Sequence, residues 1–185
     1  LLAAAGAAKS VDPVFVAVAF PDTQVCILPY NRVVKDLGGE TSESFLMAIE
    51  SSGIAVHPGP NMPERRGEVS MYLAGEWYTL TLPAPESGAG RAHALDVGLL
   101  QRHILDPLLK IHDVRTDKRI DFVGGIRGPI ELERQVDEGL AAVAFSMYPV
   151  SIGDLMAIAD AGEVMPPKST WFEPKLRDGL LVNLI

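Results

Sequence analysis

The chain has 185 residues, of which 48% are hydrophobic and 22% are charged, a composition typical of one folded domain with a sizeable core or of two small ones. Its 24 acidic residues outnumber the 16 basic ones and give a net charge of −8. This balance argues against binding to nucleic acid or to an anionic membrane surface, because both favour a basic face.

Cysteine content bears on the cellular compartment. The single cysteine, Cys26, cannot form an internal disulfide, which favours a reducing compartment and hence the cytoplasm. Its apolar neighbours predict a buried strand residue rather than a nucleophile.

The first residues, LLAAAGAAKS, contain no basic region ahead of their apolar run, which is too short to span a bilayer. The run is typical of the tail of a helix, so we interpret residues 1–10 as the remnant of a truncated N-terminal helix and the chain as a fragment of a longer protein. Residues 11–185 are expected to form a single α+β domain, with a sub-boundary possible in the linker-like segment 83–94.

In the first half, runs rich in β-branched and aromatic residues alternate with turn residues. They predict two hairpins, one helix and one short strand: a hairpin of Val14–Phe20 with Thr23–Leu28, a helix over Glu43–Ser52, a strand over Ile54–His57, and a hairpin of Glu68–Ala74 with Trp77–Leu82.

Beyond residue 94 the apolar period becomes helical. Asp96 is expected to cap a helix that Pro107 kinks or restarts, with Asp106 as a second cap. The helix should bury the apolar residues Val97, Leu100, Ile104, Leu108 and Ile111.

A strand over Ile120–Val123, a helix over Pro129–Glu138 and a buried strand over Leu140–Met147 then predict a βαβ unit with parallel strands. The expected fold class is therefore α+β: antiparallel hairpins followed by a βαβ-containing half, in a mixed sheet with packed helices.

The last predicted helix, Ile152–Ala161, begins with Ser151 as its cap and Asp154 at the third position of a capping box. Its expected buried stripe consists of Ile152, Leu155, Met156 and Ala159.

Following that helix, GEVMPPKSTWFEPKLRDGL (residues 162–180) suggests a binding site. Pro166 and Pro167 should hold the backbone extended, so that Lys168 and Thr170 point to one side and Ser169 to the other. An ammonium and hydroxyls on a stiff backbone suit an anionic or phosphorylated ligand. The alternative is a rigid turn whose hydroxyls form hydrogen bonds with nearby backbone groups. The residue types alone do not decide between the binding site and the turn.

The sequence argues against three other kinds of site: a phosphate-binding loop, a dinucleotide-binding loop and a metal site. Gly162–Ser169 resembles a phosphate-binding loop, but Pro166 and Pro167 remove the N–H groups through which that loop works. Gly124–Gly128 lacks the spacing of a dinucleotide fingerprint and predicts a backbone turn. Four scattered histidines and a lone cysteine predict no metal site.

The segments MPPKSTWFEPKLRDGLL and VSIGDLMAIADAGEV closely resemble the C-terminal signature of a bacterial family of uncharacterised proteins, domain of unknown function 1015. ILPYNRVVKDL, ALDVGLLQRHILDPLL, RIDFVGG and AVAFSMYPVS agree in order, so the resemblance spans residues 14–185. The usual form of the PYNR motif has histidine where Asn31 stands, so no proton-transfer role is expected there.

The resemblance implies an N-terminal half that carries an Asp-Gly-His-His-Arg motif, similar to one in the ParB–sulfiredoxin group, which includes kinases acting on free serine. It implies phosphoryl or nucleotide chemistry, with serine as one candidate acceptor, and a fragment that is inactive alone and requires no cofactor of its own. The expected ligand is a small anionic metabolite or nucleotide, and the expected ligand-binding residues are Lys168, Ser169, Thr170, Arg32 and Asn31. The alternative is a non-catalytic module that binds a metabolite or mediates dimerisation, in which Pro-Pro-Lys-Ser-Thr is a structural clasp. A homodimer of the chain is one expected partner state.

Overall fold

A computed structural model describes residues 17–175. Its contacts divide the chain into two units, Ile27–Phe172 and a terminal unit of residues 1–26 and 173–185. The truncated helix predicted at residues 1–10 lies outside the described residues. The sub-boundary predicted in segment 83–94 stays a prediction.

The regular elements alternate between strands and helices along the chain. The strands are β1 (Cys26–Leu28), β2 (Tyr30–Val34), β3 (Ala55–Pro58), β4 (Glu68–Leu73), β5 (Glu76–Thr81), β6 (Ile120–Gly124), β7 (Val143–Met147) and β8 (Trp171–Glu173). The helices are α1 (Ser42–Ser51), α2 (Asp96–Leu100), α3 (Gly128–Asp137) and α4 (Ile152–Asp160), and a π-helical turn, Gln101–Leu105, continues α2.

The main sheet has six strands in the order β3-β5-β4-β7-β2-β6, and β1 pairs with β8 in a separate two-stranded sheet. The α+β class is confirmed. Every neighbouring pair of the main sheet is antiparallel, rather than mixed as expected, because β2 lies between β6 and β7 and runs opposite to both. The two strands of the predicted βαβ unit therefore run parallel to each other without sharing hydrogen bonds.

The predicted hairpin of β4 and β5 is confirmed, with Leu73 opposite Glu76. The two residues between them, Ala74 and Gly75, both have positive φ angles (52° and 88°), which is the geometry that matches the twist of two-residue hairpins. The hairpin predicted over Val14–Leu28 is wrong in the part that the structure describes: residues 17–20 form no strand, and β1 pairs with β8 instead. Asp22–Gln24 form a short 3-10 turn after Pro21 rather than a reversal between two strands.

Helices α1 and α4 each begin with a complete capping box. The Thr41 side chain accepts from the Ser44 N–H at the start of α1, and the Ser151 side chain accepts from the Asp154 N–H at the start of α4. In each box the third-position side chain also accepts from the cap backbone, so the N–H groups of the cap and of the third position are satisfied. The capping predicted for α4 is confirmed.

Three burial and capping predictions are corrected. Cys26 is exposed, because β1 belongs to the small two-stranded sheet and not to the core. In α4 the buried residue is Ile158, whereas Ile152 and Met156 are exposed. Asp96 is the first residue of α2 and not its cap, which is Leu95.

The largest core cluster lies between the main sheet and the helical segments, and it includes Phe45, Met71, Leu100, Ile104 and Phe145. β7 is buried at all five of its positions, as its apolar sequence predicts. Within residues 17–175, no helix has the length and apolar character needed to cross a bilayer.

Candidate functional site

A cleft runs beside the π-helical turn of residues 101–105, the loop 112–115 and the loop 164–167. It consists of two cavities that share Gln101, His112 and Pro166. One has a volume of about 310 Å³ and is lined by Arg32, and we call it the Arg32 cavity. The other, about 370 Å³, is lined by Arg102, and we call it the Arg102 cavity.

Arg32 contributes the buried charge of the cleft. It stands in β2, paired with Phe122 of β6 on one side and Phe145 of β7 on the other, and only 2% of it is exposed. Its Nη1 donates to the carbonyl of Tyr30 (2.7 Å) and its Nη2 to the carbonyl of Lys168 (3.3 Å). Burial lowers the pKa of the guanidinium to about 10, so that it is still protonated at neutral pH.

No carboxylate in the described part of the chain forms an ion pair with Arg32. Its neighbours are two carbonyl oxygens and the ring of Phe122, whose centroid is 5.6 Å away. A guanidinium has five N–H donors, and these two bonds use two of them. The Arg32 cavity is therefore bordered by a desolvated cation with spare donors.

Gln101 lies on the wall between the two cavities. Its Nε2 donates to the carbonyl of Ile111 (2.7 Å), which fixes the amide orientation. Its Oε1 is buried and accepts no hydrogen bond from the described residues. The π-helical turn presents this side chain: the Asp106 N–H bonds to the Gln101 carbonyl, five residues back, before Pro107 ends the helix.

The loop after this turn carries further polar groups. His112 Nδ1 contacts Asp106 Oδ1. Arg115 forms a bidentate pair with Asp113, at 2.9 Å and 2.8 Å, and these hydrogen bonds lower the pKa of the Asp113 carboxyl to about 2. Both His112 and Arg115 line the Arg32 cavity.

Only part of the predicted binding segment 166–170 lies at this cleft. Pro166 and Pro167 line the Arg32 cavity, but Lys168 does not. Lys168 is exposed, its carbonyl accepts from Arg32, and its Nζ lies 5.2 Å from the ring centroid of Tyr30. Its φ of 56° interrupts the extended backbone that the two prolines predict, and the chain is extended again only in β8.

Two of the other predicted residues form internal bonds. The Ser169 hydroxyl donates to the carbonyl of Pro166 (2.6 Å), and Asn31 Oδ1 accepts from the Met147 N–H (3.0 Å) at the end of β7. Thr170 is half-buried and lines none of the three cavities described in this section. Ligand binding by these three residues stays a prediction.

Sequence reasoning missed Gln101, His112 and Arg115. It interpreted their segment as an apolar helix and a loop, and the histidines as scattered. The sequence contains one signal for them, which is Pro107. A proline interrupts the helical pattern there, and polar side chains near such a break can turn toward a neighbouring loop.

A third cavity, about 230 Å³, is bordered by Arg66, Asp96, Tyr148 and Asp154. Asp96 is 7% exposed, its Oδ1 accepts from the Gly67 N–H (3.0 Å), and burial raises its pKa to about 6. Arg66 and Asp154 pair with each other at 2.8 Å. Since Arg66, Asp96 and Asp154 bond to one another or to backbone, this cavity ranks behind the cleft as a ligand site.

Within residues 17–175, no group of three or more histidine, cysteine, aspartate or glutamate side chains could hold a metal ion.

Two solved structures share the fold. A conserved hypothetical protein from Pyrococcus furiosus is 15% identical, with a TM-score of 0.51, over 85% of this chain and 60% of its own. A free serine kinase in complex with AMP is 14% identical, with a TM-score of 0.51, over 85% of this chain and 57% of its own. The chain thus spans less than two thirds of the length of either protein.

No curated protein matches the sequence. The model of a family described as protein of unknown function (DUF1015) matches residues 5–100, slightly more than half of the chain. The match includes Asn31 and Arg32 and ends before the Pro-Pro-Lys-Ser-Thr segment on which the sequence resemblance was partly based. The chain belongs to this family, DUF1015.

Proposed function

We propose that this chain is part of a small-molecule enzyme and that its cleft binds a nucleotide or another phosphorylated substrate. The observation that carries the proposal is Arg32, a buried guanidinium that borders a cavity and has no carboxylate partner in the described residues. Burying a charge without a counter-charge costs free energy, which an anionic ligand in the cavity would offset.

The geometry of the guanidinium supports a phosphate or carboxylate in particular. Its planar fork matches two oxygens of such a group, whereas an ammonium acts as a point charge. The backbone carbonyls of Tyr30 and Lys168 each accept from one of its two terminal nitrogens, so that little side-chain entropy is lost when a ligand binds. Arg115, on the same cavity, supplies a second cation, partly neutralised by Asp113.

The proposed reaction is phosphoryl transfer to a small hydroxylated metabolite such as serine. Similarity of fold to the free serine kinase in complex with AMP supports this choice of chemistry. Because the chain spans 57% of that protein, the reaction is proposed for the whole protein and not for these residues alone.

A second role is favoured for the segment 166–170, that of a structural clasp. The Ser169 hydroxyl bonds within the segment, and the Lys168 ammonium lies over Tyr30. In this role the segment positions Arg32 through the Lys168 carbonyl. A module that binds a metabolite without catalysis would use the same arrangement.

The test is titration of ADP, phosphoserine and inorganic phosphate into the protein expressed from its whole reading frame, followed by calorimetry and thermal unfolding. Arg32→Met should weaken binding of the phosphorylated ligand by about ten- to a hundredfold, since a charged hydrogen bond contributes roughly 1.5–3 kcal/mol. The melting temperature without ligand should stay within a few degrees, because the variant loses two backbone bonds but also a buried charge.

Arg127→Met is the matched control, because Arg127 is exposed and lines neither cavity of the cleft. Arg32→Lys retains the charge without the fork and should bind at an intermediate strength. Undiminished binding by both Arg32 variants, or no binding of any of the three probes to the wild type, would exclude the proposal.

A further inference from the structure

The Asp106–His112 pair lies where the two cavities of the cleft meet. His112 lines both cavities, and Asp106 lines the Arg102 cavity. The contact of Asp106 Oδ1 with His112 Nδ1 favours the tautomer with its proton on Nδ1. His112 Nε2 is then the basic nitrogen, in the relation that an aspartate and a histidine adopt in hydrolytic triads.

The pair is positioned by the break in the helix. The π-helical turn ends at Leu105, Asp106 and Pro107 follow, and the Ile111 N–H returns to the Leu105 carbonyl (2.8 Å). This closed turn brings His112 back beside Asp106, six residues earlier. Both side chains are at least half exposed, so a substrate in the cleft has access to the imidazole.

The two cavities differ in the groups they present. The Arg32 cavity is bordered by the buried cation, whereas the Arg102 cavity is lined by Arg102 and His93, neither of which is buried. Between them, Gln101 Oε1 is a buried acceptor without a donor in the described part of the chain. An unsatisfied buried acceptor is costly, and a hydroxyl or amino group of a ligand would satisfy it.

We infer that His112 is the general base for the acceptor hydroxyl, that Asp106 is its positioning residue, and that the Arg102 cavity holds the hydroxyl-bearing acceptor. The inference rests on the proposed phosphoryl transfer. His112 Nε2 takes the hydroxyl proton as the acceptor oxygen forms a bond to the phosphorus of a nucleoside polyphosphate. The bond from that phosphorus to the leaving phosphate oxygen breaks, and the leaving oxygen keeps the electron pair.

The experiment measures phosphoryl transfer from ATP or ADP to L-serine by the protein expressed from its whole reading frame, together with ADP binding by calorimetry. His112→Gln should lower kcat by about a hundredfold or more, which is the usual contribution of a general base, and leave ADP affinity within about threefold. Asp106→Asn should lower kcat by a smaller factor while the KM for serine stays within about threefold, and Asp106→Glu, which keeps a carboxylate, should recover part of the lost kcat. His57→Gln is the matched control, since His57 lies on β3 and lines neither cavity.

The outcomes separate the two proposals. Transfer by wild type that His112→Gln retains within threefold overturns the role of His112 and leaves the proposed function intact. Absence of transfer by wild type to serine and to other small hydroxylated acceptors overturns both. A His112→Gln variant that loses ADP binding together with activity also overturns the inference, because a general base for the acceptor is not needed to bind the nucleotide.

Discussion

Lys168 and Arg32 are two cations on neighbouring segments with different surroundings. The guanidinium of Arg32 is buried at the cavity, whereas the ammonium of Lys168 is exposed and lies over the ring of Tyr30. A cation over an aromatic ring at an exposed site contributes only about 0.5–1 kcal/mol. The two side chains should therefore contribute very differently to ligand binding.

Lys168→Met tests this difference. The sequence alone predicts that the ammonium binds the ligand and that its loss costs about tenfold or more in affinity. From the geometry we expect a loss of about threefold or less in ADP affinity, and a melting temperature within a few degrees of wild type because the aliphatic stem is retained. A tenfold loss of ADP affinity measured by calorimetry, with an unchanged melting temperature, would show that Lys168 contacts the ligand directly.

At the scale of elements, Trp171 packs closely against the end of β6. A Cβ atom added at Gly124 would lie 2.5 Å from two ring carbons of Trp171, too close for any real contact. The Trp171 ring also meets Tyr30 of β2, with ring centroids 5.2 Å apart. This packing fixes β8 and therefore the preceding segment 166–170.

Gly124→Ala should displace Trp171 and destabilise the protein by roughly 1–3 kcal/mol, the usual cost of overpacking. Within these 185 residues Trp171 is the single tryptophan in a Trp77→Phe background, so the fluorescence of this chain reports the displacement as a red shift. Gly153→Ala is the control, since its added Cβ meets only the Ser151 hydroxyl at 3.7 Å. Equal emission and stability in the two variants would contradict the packing.

The helix α4 shows why an element can be predicted and its buried face missed. Its capping box is local, so the sequence determines where it begins. Its apolar residues Ile152, Leu155, Met156 and Ile158 surround more than one face, and only the packing partner selects among them. The choice of Ile158 is a tertiary effect.

At the scale of the whole molecule, Asp96 couples stability to pH. Burial raises its pKa from 3.8 to about 6 in the folded chain. The folded state therefore binds the proton more tightly than the unfolded state, so this group stabilises the fold below pH 4 and loses that contribution as pH rises through about 6.

Asp96→Asn removes the titrating carboxyl group and retains an oxygen that accepts from the Gly67 N–H. Urea unfolding between pH 4 and pH 7 should show the free energy of unfolding of wild type falling relative to the variant, by about 2–3 kcal/mol in total. A difference between the two proteins that is constant over this range would show that Asp96 titrates normally.

The sequence by itself determined the α+β class, the β4–β5 hairpin, the start of α4 and the family resemblance. These features depend on local signals: alternation, two turn residues, and a cap three residues from its partner. It also selected Arg32 and the segment 166–170, because their residue types suit an anion.

Only the tertiary structure decided which of these groups meet. Insertion of β2 between β6 and β7 buries Arg32, and the break at Pro107 brings Gln101 and His112 to the same cleft. Burial and the lack of a counter-charge depend on contacts between residues far apart in the chain, such as Arg32 with Lys168. No local pattern encodes such contacts, because they follow from how the completed elements pack.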